Sequence, residues 1–154
     1  MVDINKSILN KNNFKLLIQK VPTVEYFVQT VTIPGVTFEE TVLPVGVGVD
    51  AYFHGDKVSF DTLNVSFLVD EDLKNYQEMY DWMVRIVNDG AVSAGQRGTK
   101  KPTYADITLS ILSSHNNTTK KIRYLDCMPT NLGGIQFQST AGDTTFLTFD
   151  ASFR

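Results

Sequence analysis

Cysteine and histidine are scarce in this chain of 154 residues. The lone cysteine, Cys127, excludes an intrachain disulfide, and with only two histidines, His54 and His115, no ordinary structural zinc set can be assembled. Excess positive charge is lacking too: 14 Lys and Arg stand against 17 Asp and Glu, a net of −3. A chain of that sign repels phosphate on average, which excludes a generally basic nucleic-acid binder. Long apolar runs are absent. The longest, over residues 42–49, is too short to cross a bilayer as a helix and contains Pro44, Gly46 and Gly48, so no membrane partner is expected. The opening Met1-Val2-Asp3-Ile4-Asn5-Lys6 has no cationic head followed by an apolar stretch, so no signal peptide is expected.

What is present is core material and strand-forming sequence. Ten Phe, six Tyr and one Trp within a 42% apolar composition exclude intrinsic disorder as a description of the whole chain. The length fits one domain. Residues 1–12, rich in Asn and Lys, read as an N-terminal arm, and residues 13–154 as a single β domain. Phe14, Leu16 and Ile18 alternate with Lys15, Leu17 and Gln19, the period of a half-buried strand. Residues 24–33 read as a second strand stopped by Pro34-Gly35, and 36–41 resume the alternation. Residues 57–69 read as one long strand with Leu63, Val65, Phe67 and Val69 on a common face.

Asp70-Glu71-Asp72 marks a helix N-terminus, since carboxylates cap free backbone N–H groups and favour the positive end of the dipole. The helix is expected over about 71–88, with Leu73, Tyr76, Tyr80, Met83, Val84 and Val87 as its apolar stripe and Asp89-Gly90 as its stop. Residues 91–102 read as a polar loop. Residues 104–112 and 120–127 form a hairpin across His115-Asn116-Asn117-Thr118. Pro129 is expected to break the ladder, and Gly133-Gly134 to bend the chain. Residues 135–138 and 144–153 are expected to form a closing hairpin, with Leu147, Phe149, Ala151 and Phe153 sharing a face. Seven or eight strands with one flanking helix predict a mainly β fold, an antiparallel sandwich or barrel-like architecture.

The segment 42–55 stands out. Leu43, Val45, Val47 and Val49, then Tyr52 and Phe53, give it high strand propensity, while Pro44, Gly46 and Gly48 exclude an ordinary central strand. A lone domain would not expose it, so it reads as a buried loop or a projecting hairpin that pairs with a neighbouring chain.

No residue pattern supports catalysis, a metal or a cofactor. Asp70-Glu71-Asp72 lacks the later oxygen ligands of a calcium loop, and Lys74 stands where an acid is needed. Gly46-Val47-Gly48 lacks a third glycine and a following helix, so it does not cradle phosphate. Ser93 has no nucleophile-elbow context, and neither histidine comes with a nucleophile and an orienting acid. Cys127 reads as a small buried hydrophobe. Two basic clusters, Arg97/Lys100/Lys101 and Lys120/Lys121/Arg123, lack interleaved aromatics and read as solvated charge or as contacts for an acidic neighbour. Excess strand surface on a small core is the pattern of a chain that completes itself by joining copies. The competing reading is a monomeric carbohydrate- or peptide-binding sandwich with Trp82 or Tyr52 exposed along a groove.

Several stretches, in order, resemble the tail-tube proteins of contractile-tailed bacteriophages. They are the strand Phe14 to Gln19, the turn Leu43-Pro44-Val45-Gly46, and the acidic turn Val69-Asp70-Glu71 leading into a helix with Tyr80-Asp81-Trp82. Met128-Pro129-Thr130-Asn131-Leu132-Gly133 and the last strand, Thr145-Phe146-Leu147-Thr148-Phe149-Asp150, complete the set. The resemblance implies hexameric rings stacked into a hollow tube inside a contractile sheath, in a virion tail assembled in the host cytoplasm. Sheath, baseplate and tail-terminator proteins are the implied partners, with DNA passing through the lumen without specific binding. It implies subunit contacts from Leu43, Val45, Val47, Val49, Tyr52 and Phe53 on the hairpin and from Pro129, Asn131 and Gly133 at the bend. A repeated tube subunit is the expected role, with a tube-initiating baseplate protein or a secretion- or injection-system tube as alternatives of the same fold.

Overall fold

Strict alternation puts one side inside in the strands that carry Leu16, Val65, Ile107 and Phe149. The computed structural model of the chain describes residues 9, 11–90, 104–139 and 146–154. Its strands are β1 (Phe14–Ile18), β2 (Val28–Thr32), β3 (Val36–Gly46), β4 (Val49–Phe60), β5 (Leu63–Leu68), β6 (Ala105–Leu112), β7 (Thr118–Cys127), β8 (Pro129–Leu132) and β9 (Thr148–Phe153). One helix, α1 (Lys74–Gly90), lies between β5 and β6. All pairing is antiparallel, in a three-stranded sheet β1-β6-β7, a four-stranded sheet β2-β5-β9-β8 and a separate ribbon β3-β4.

Both larger sheets feed one core. Leu16, Ile18, Ile107 and Leu109 enter it from the first sheet, and Val65, Phe67, Phe149, Ala151 and Phe153 from the second. Met79 and Trp82 reach it from α1. Phe149 stacks on Phe67 at 5.2 Å between ring centroids and meets Tyr76 edge-on at 5.4 Å. Each buried Phe contributes about 1.5–3 kcal/mol relative to an exposed one. The fold is therefore mainly β with one helix packed on it. No closed barrel forms among the described residues.

Several local expectations are corrected. Residues 24–27 are not strand. Pro22, with its fixed φ, opens a 3₁₀ turn over Pro22–Phe27, and β2 begins only at Val28. Residues 57–69 are not one strand. The chain breaks after Phe60, where the Asp61 N–H donates to the Gly35 carbonyl at 3.0 Å, and so passes from the ribbon into the four-stranded sheet. The helix starts at Lys74 rather than near 71, because Leu73 takes a left-handed φ of 58° that interrupts the helical path.

The buried face of α1 is also different from the expected stripe. Asn75, Met79 and Trp82 are buried, while Leu73, Tyr80, Val84 and Val87 are exposed. Asn75 is fully buried and acts as a clasp. Its Nδ2 donates to the Leu68 carbonyl at 2.6 Å and its Oδ1 accepts from the Asp70 N–H at 3.2 Å, tying the end of β5 to the start of the helix. Trp82 packs beside Phe153, 6.0 Å between centroids, and is buried rather than exposed as the competing reading expected.

At the end of the chain, Pro129 does not break the ladder. It opens β8, where it pairs with Phe153 on the edge of the sheet, a position that tolerates a missing N–H. Residues 135–138 are not strand; β9 instead lies between β5 and β8. The N-terminal arm, apart from residues 9, 11 and 12, and the loop over 91–102 lie outside the described residues, as do Thr144 and Thr145.

Candidate assembly interface

The ribbon β3-β4 pairs with neither larger sheet. Its strands of 11 and 12 residues make it about 36 Å long at 3.3 Å per residue. A two-stranded hairpin alone in water is marginally stable, so its length calls for a partner. The tip is a two-residue loop, Val47-Gly48, closed by the pair Gly46 and Val49. Gly48 has φ 79°, the positive value that the second loop position of a type II turn requires.

Gly55 divides the ribbon in two. The register jumps from Phe38 opposite Val58 to Glu40 opposite His54, so β4 carries a bulge against Glu39. The backbones approach so closely there that a Cβ on Gly55 would overlap the Glu39 carbonyl. Below the bulge one face is apolar, with Val36 opposite Phe60 and Phe38 opposite Val58, and the other carries Thr37 opposite Ser59. Above it both faces hold large apolar groups: Val42 with Tyr52 on one, Leu43 and Phe53 on the other. Burial on two faces is what such a pattern needs. These groups are open to solvent in the single chain; Val45 and Tyr52 are each 65% exposed and Phe38 68%.

The hairpin is thus longer than the sequence indicated, 36–60 rather than 42–55. Leu43, Val45, Val47, Val49, Tyr52 and Phe53 all sit together in its distal half. Pro129, Asn131 and Gly133 lie elsewhere, along the β8 edge of the four-stranded sheet. Pro129 is buried, Asn131 is exposed, and the Gly133 N–H donates to the Asp150 carbonyl at 2.6 Å. Sequence reasoning missed Val36, Phe38, Val58 and Phe60. Simple mirroring about Val47-Gly48 would not have found them, because the register shifts between Phe38 and Glu40 and between Pro44 and Gly46 displace the pairs.

Beside the ribbon's root runs β7. A cleft of about 740 Å³ is lined by Pro34, Val58, Phe60, Leu125 and Arg123, among others. Asp106 organises the end of β7. It accepts from Arg123 Nε at 3.2 Å and also pairs with Arg123 Nη2, while its other oxygen accepts from the Asp126 N–H at 3.2 Å. That last bond pins a bulge at which Asp126 takes φ 53°. The Arg123 guanidinium, then the Asp126 N–H, hold the Asp106 carboxyl below its ordinary range. Burial pushes the Cys127 thiol and the Tyr124 hydroxyl up, so neither is activated as a nucleophile.

His54 lies opposite Glu40 on the ribbon, and His115 in the turn before β7. Among the described residues no three His, Cys, Asp or Glu side chains group to hold a metal ion, and no helix is long and apolar enough to cross a membrane.

Comparison with known proteins gives a consistent answer. Residues 3–154 match a family model described as phage tail tube protein. The chain is 32% identical over 138 residues to the tail tube terminator protein of Enterobacteria phage T4, covering 85% of this chain and 76% of that one. Among solved structures it resembles the tube-terminating cap of the anti-feeding prophage, with TM-score 0.60, 15% identity and coverage of 96% of this chain and 87% of that one. It also resembles a chain in the PVC sheath/tube terminator of an extracellular contractile injection system, with TM-score 0.61, 16% identity and coverage of 97% and 94%. At those identities the structural matches speak for the fold.

Proposed function

The chain belongs to the phage tail tube protein family, and on that premise we propose that it is a structural, non-enzymatic subunit of a contractile-tail tube, placed at the tube's end as a terminator. The observation that carries self-assembly is the ribbon, whose apolar side chains have no cover within the chain. The terminal position is supported by the T4 relative, itself a tube terminator. The sequence pointed to a terminator only as a partner and expected the repeated tube subunit. That role is the second reading, favoured by the tail tube description of the family matched over 3–154.

In either role the assembly is a ring of six copies, on a sheathed virion tail put together in the host cytoplasm, with residues 13–154 acting as one domain and 1–12 as an arm. Leu43, Val45, Val47, Val49, Tyr52 and Phe53 enter a neighbouring copy, and Asn131 and Gly133, with Pro129 behind them, shape a second contact. Sheath and tube proteins are its partners, and DNA passes without binding. The four strands β2, β5, β8 and β9 contain no lysine or arginine, which suits a wall along which a polyanion slides.

Negative-stain electron microscopy of the purified protein across a concentration series tests the role. Discrete rings with a central channel at every concentration support the terminator, and long tubes establish the repeated subunit instead. Monomers at every concentration overturn both. Val47→Asp with Val49→Asp should abolish association seen by sedimentation while circular dichroism stays that of a folded chain.

A further inference from the structure

The ribbon is acidic and β7 is basic. Glu39, Glu40, Asp50 and Asp56 stand against Lys57 on β3 and β4. Lys120, Lys121 and Arg123 stand against Asp126 on β7. Arg123 is held by Asp106, which leaves Lys120 and Lys121 as the cations presented to a partner. β7 is also the end strand of its sheet, paired only with β6, so one row of its N–H and C=O groups faces outward. We infer that this open edge receives the β3-β4 ribbon of a second copy of the chain, which adds to the sheet beyond β7. The inference rests on the reading of the ribbon as the assembly element and names where it docks.

Length singles out this edge. β7 has 10 residues, close to the 12 of β4, whereas the other three sheet edges, β1, β2 and β8, have five, five and four. The adjoining cleft supplies an apolar floor, in Leu125 and in Val58 and Phe60 at the root of the receiving copy's own ribbon, for an apolar face of the incoming one. Charge then fixes the direction of assembly. Lysines repel across a β7-to-β7 pair, and carboxylates repel across a ribbon-to-ribbon pair, so only β7-to-ribbon pairing is favoured. That contact joins two different surfaces, which generates a ring or a helix rather than a two-fold dimer.

Charge reversal tests it, read by sedimentation velocity at low salt. K120E/K121E and E39K/E40K should each weaken self-association by about tenfold or more. Their combination in one chain should restore it, and mixing the two singly reversed chains should restore pairing between them. Association of K120E/K121E at wild-type strength overturns the β7 site, as does failure of the combined variant to recover when both parents have lost it. K120Q/K121Q provides the same test without new acid should the reversed chain not fold. If V47D/V49D blocks association while charge reversal does nothing, β7 is the wrong receiver and the ribbon's role survives. If V47D/V49D associates normally, or the wild type is monomeric throughout, the ribbon reading fails and the receiver with it.

Discussion

The carbonyl of Glu39 occupies the space that a Cβ on Gly55 would need. This contact sets the bulge at which the ribbon changes from one apolar face to two. Gly55→Ala must therefore shift backbone rather than a flexible side chain. The ribbon pairs with neither larger sheet, so the substitution should alter the stability of the body by only about 0.5 kcal/mol or less. Self-association should fall by an order of magnitude. Urea unfolding and sedimentation on the same variant check both halves; a large loss of body stability would show that the ribbon supports the core.

Asp106 ties β6 to the bulge in β7 through Arg123 and the Asp126 N–H. Its folded pKa is depressed, so its contribution is present above the unfolded aspartate value and is lost as pH falls through the folded one. Asp106→Asn should accordingly lower the urea midpoint at pH 7. The gap between the two proteins should begin to narrow below about pH 4, where the unfolded aspartate takes up its proton, and close as pH falls through the lower native value. A gap that stays constant from pH 7 to pH 3 would mean that the charge contributes nothing.

Asn75 shows why part of the fold was not legible in the sequence. The alternation of β1, β5 and β9 was readable because each strand has one face in the core, and Leu16, Val65 and Phe149 are buried as their period requires. In α1 the rule of apolar spacing failed, because a polar residue holds a buried position and all six of the apolar ones expected there, Leu73, Tyr76, Tyr80, Met83, Val84 and Val87, are exposed or half-buried. The ribbon was seen at its glycine-rich tip, whereas Val36–Phe38 and Val58–Phe60 have the pattern of ordinary strand. Whether a strand stays in a sheet or leaves it is decided by tertiary pairing, which local pattern does not encode. Asn75→Ala tests the clasp. It leaves the Leu68 carbonyl and the Asp70 N–H without their partner and should cost about 2–4 kcal/mol in urea unfolding. A loss under about 0.5 kcal/mol would remove the clasp from the account.

The cation-free sheet gives the last prediction. Asn64, Ser66, Asp150 and Ser152 pair across β5 and β9 on the face opposite Phe67 and Phe149. If that face lines the channel of the assembled ring, Ser66→Lys with Ser152→Lys places a collar of positive charge inside it. The substitutions sit on a partly exposed surface and should leave folding and ring formation intact. Preassembled rings of the variant should then retain linear duplex DNA at about 50 mM salt and release it near 200 mM, as phosphate neutralisation requires. Closed circular DNA has no end to thread and should not be retained. Equal retention of linear and circular DNA would put this sheet on the outside of the ring.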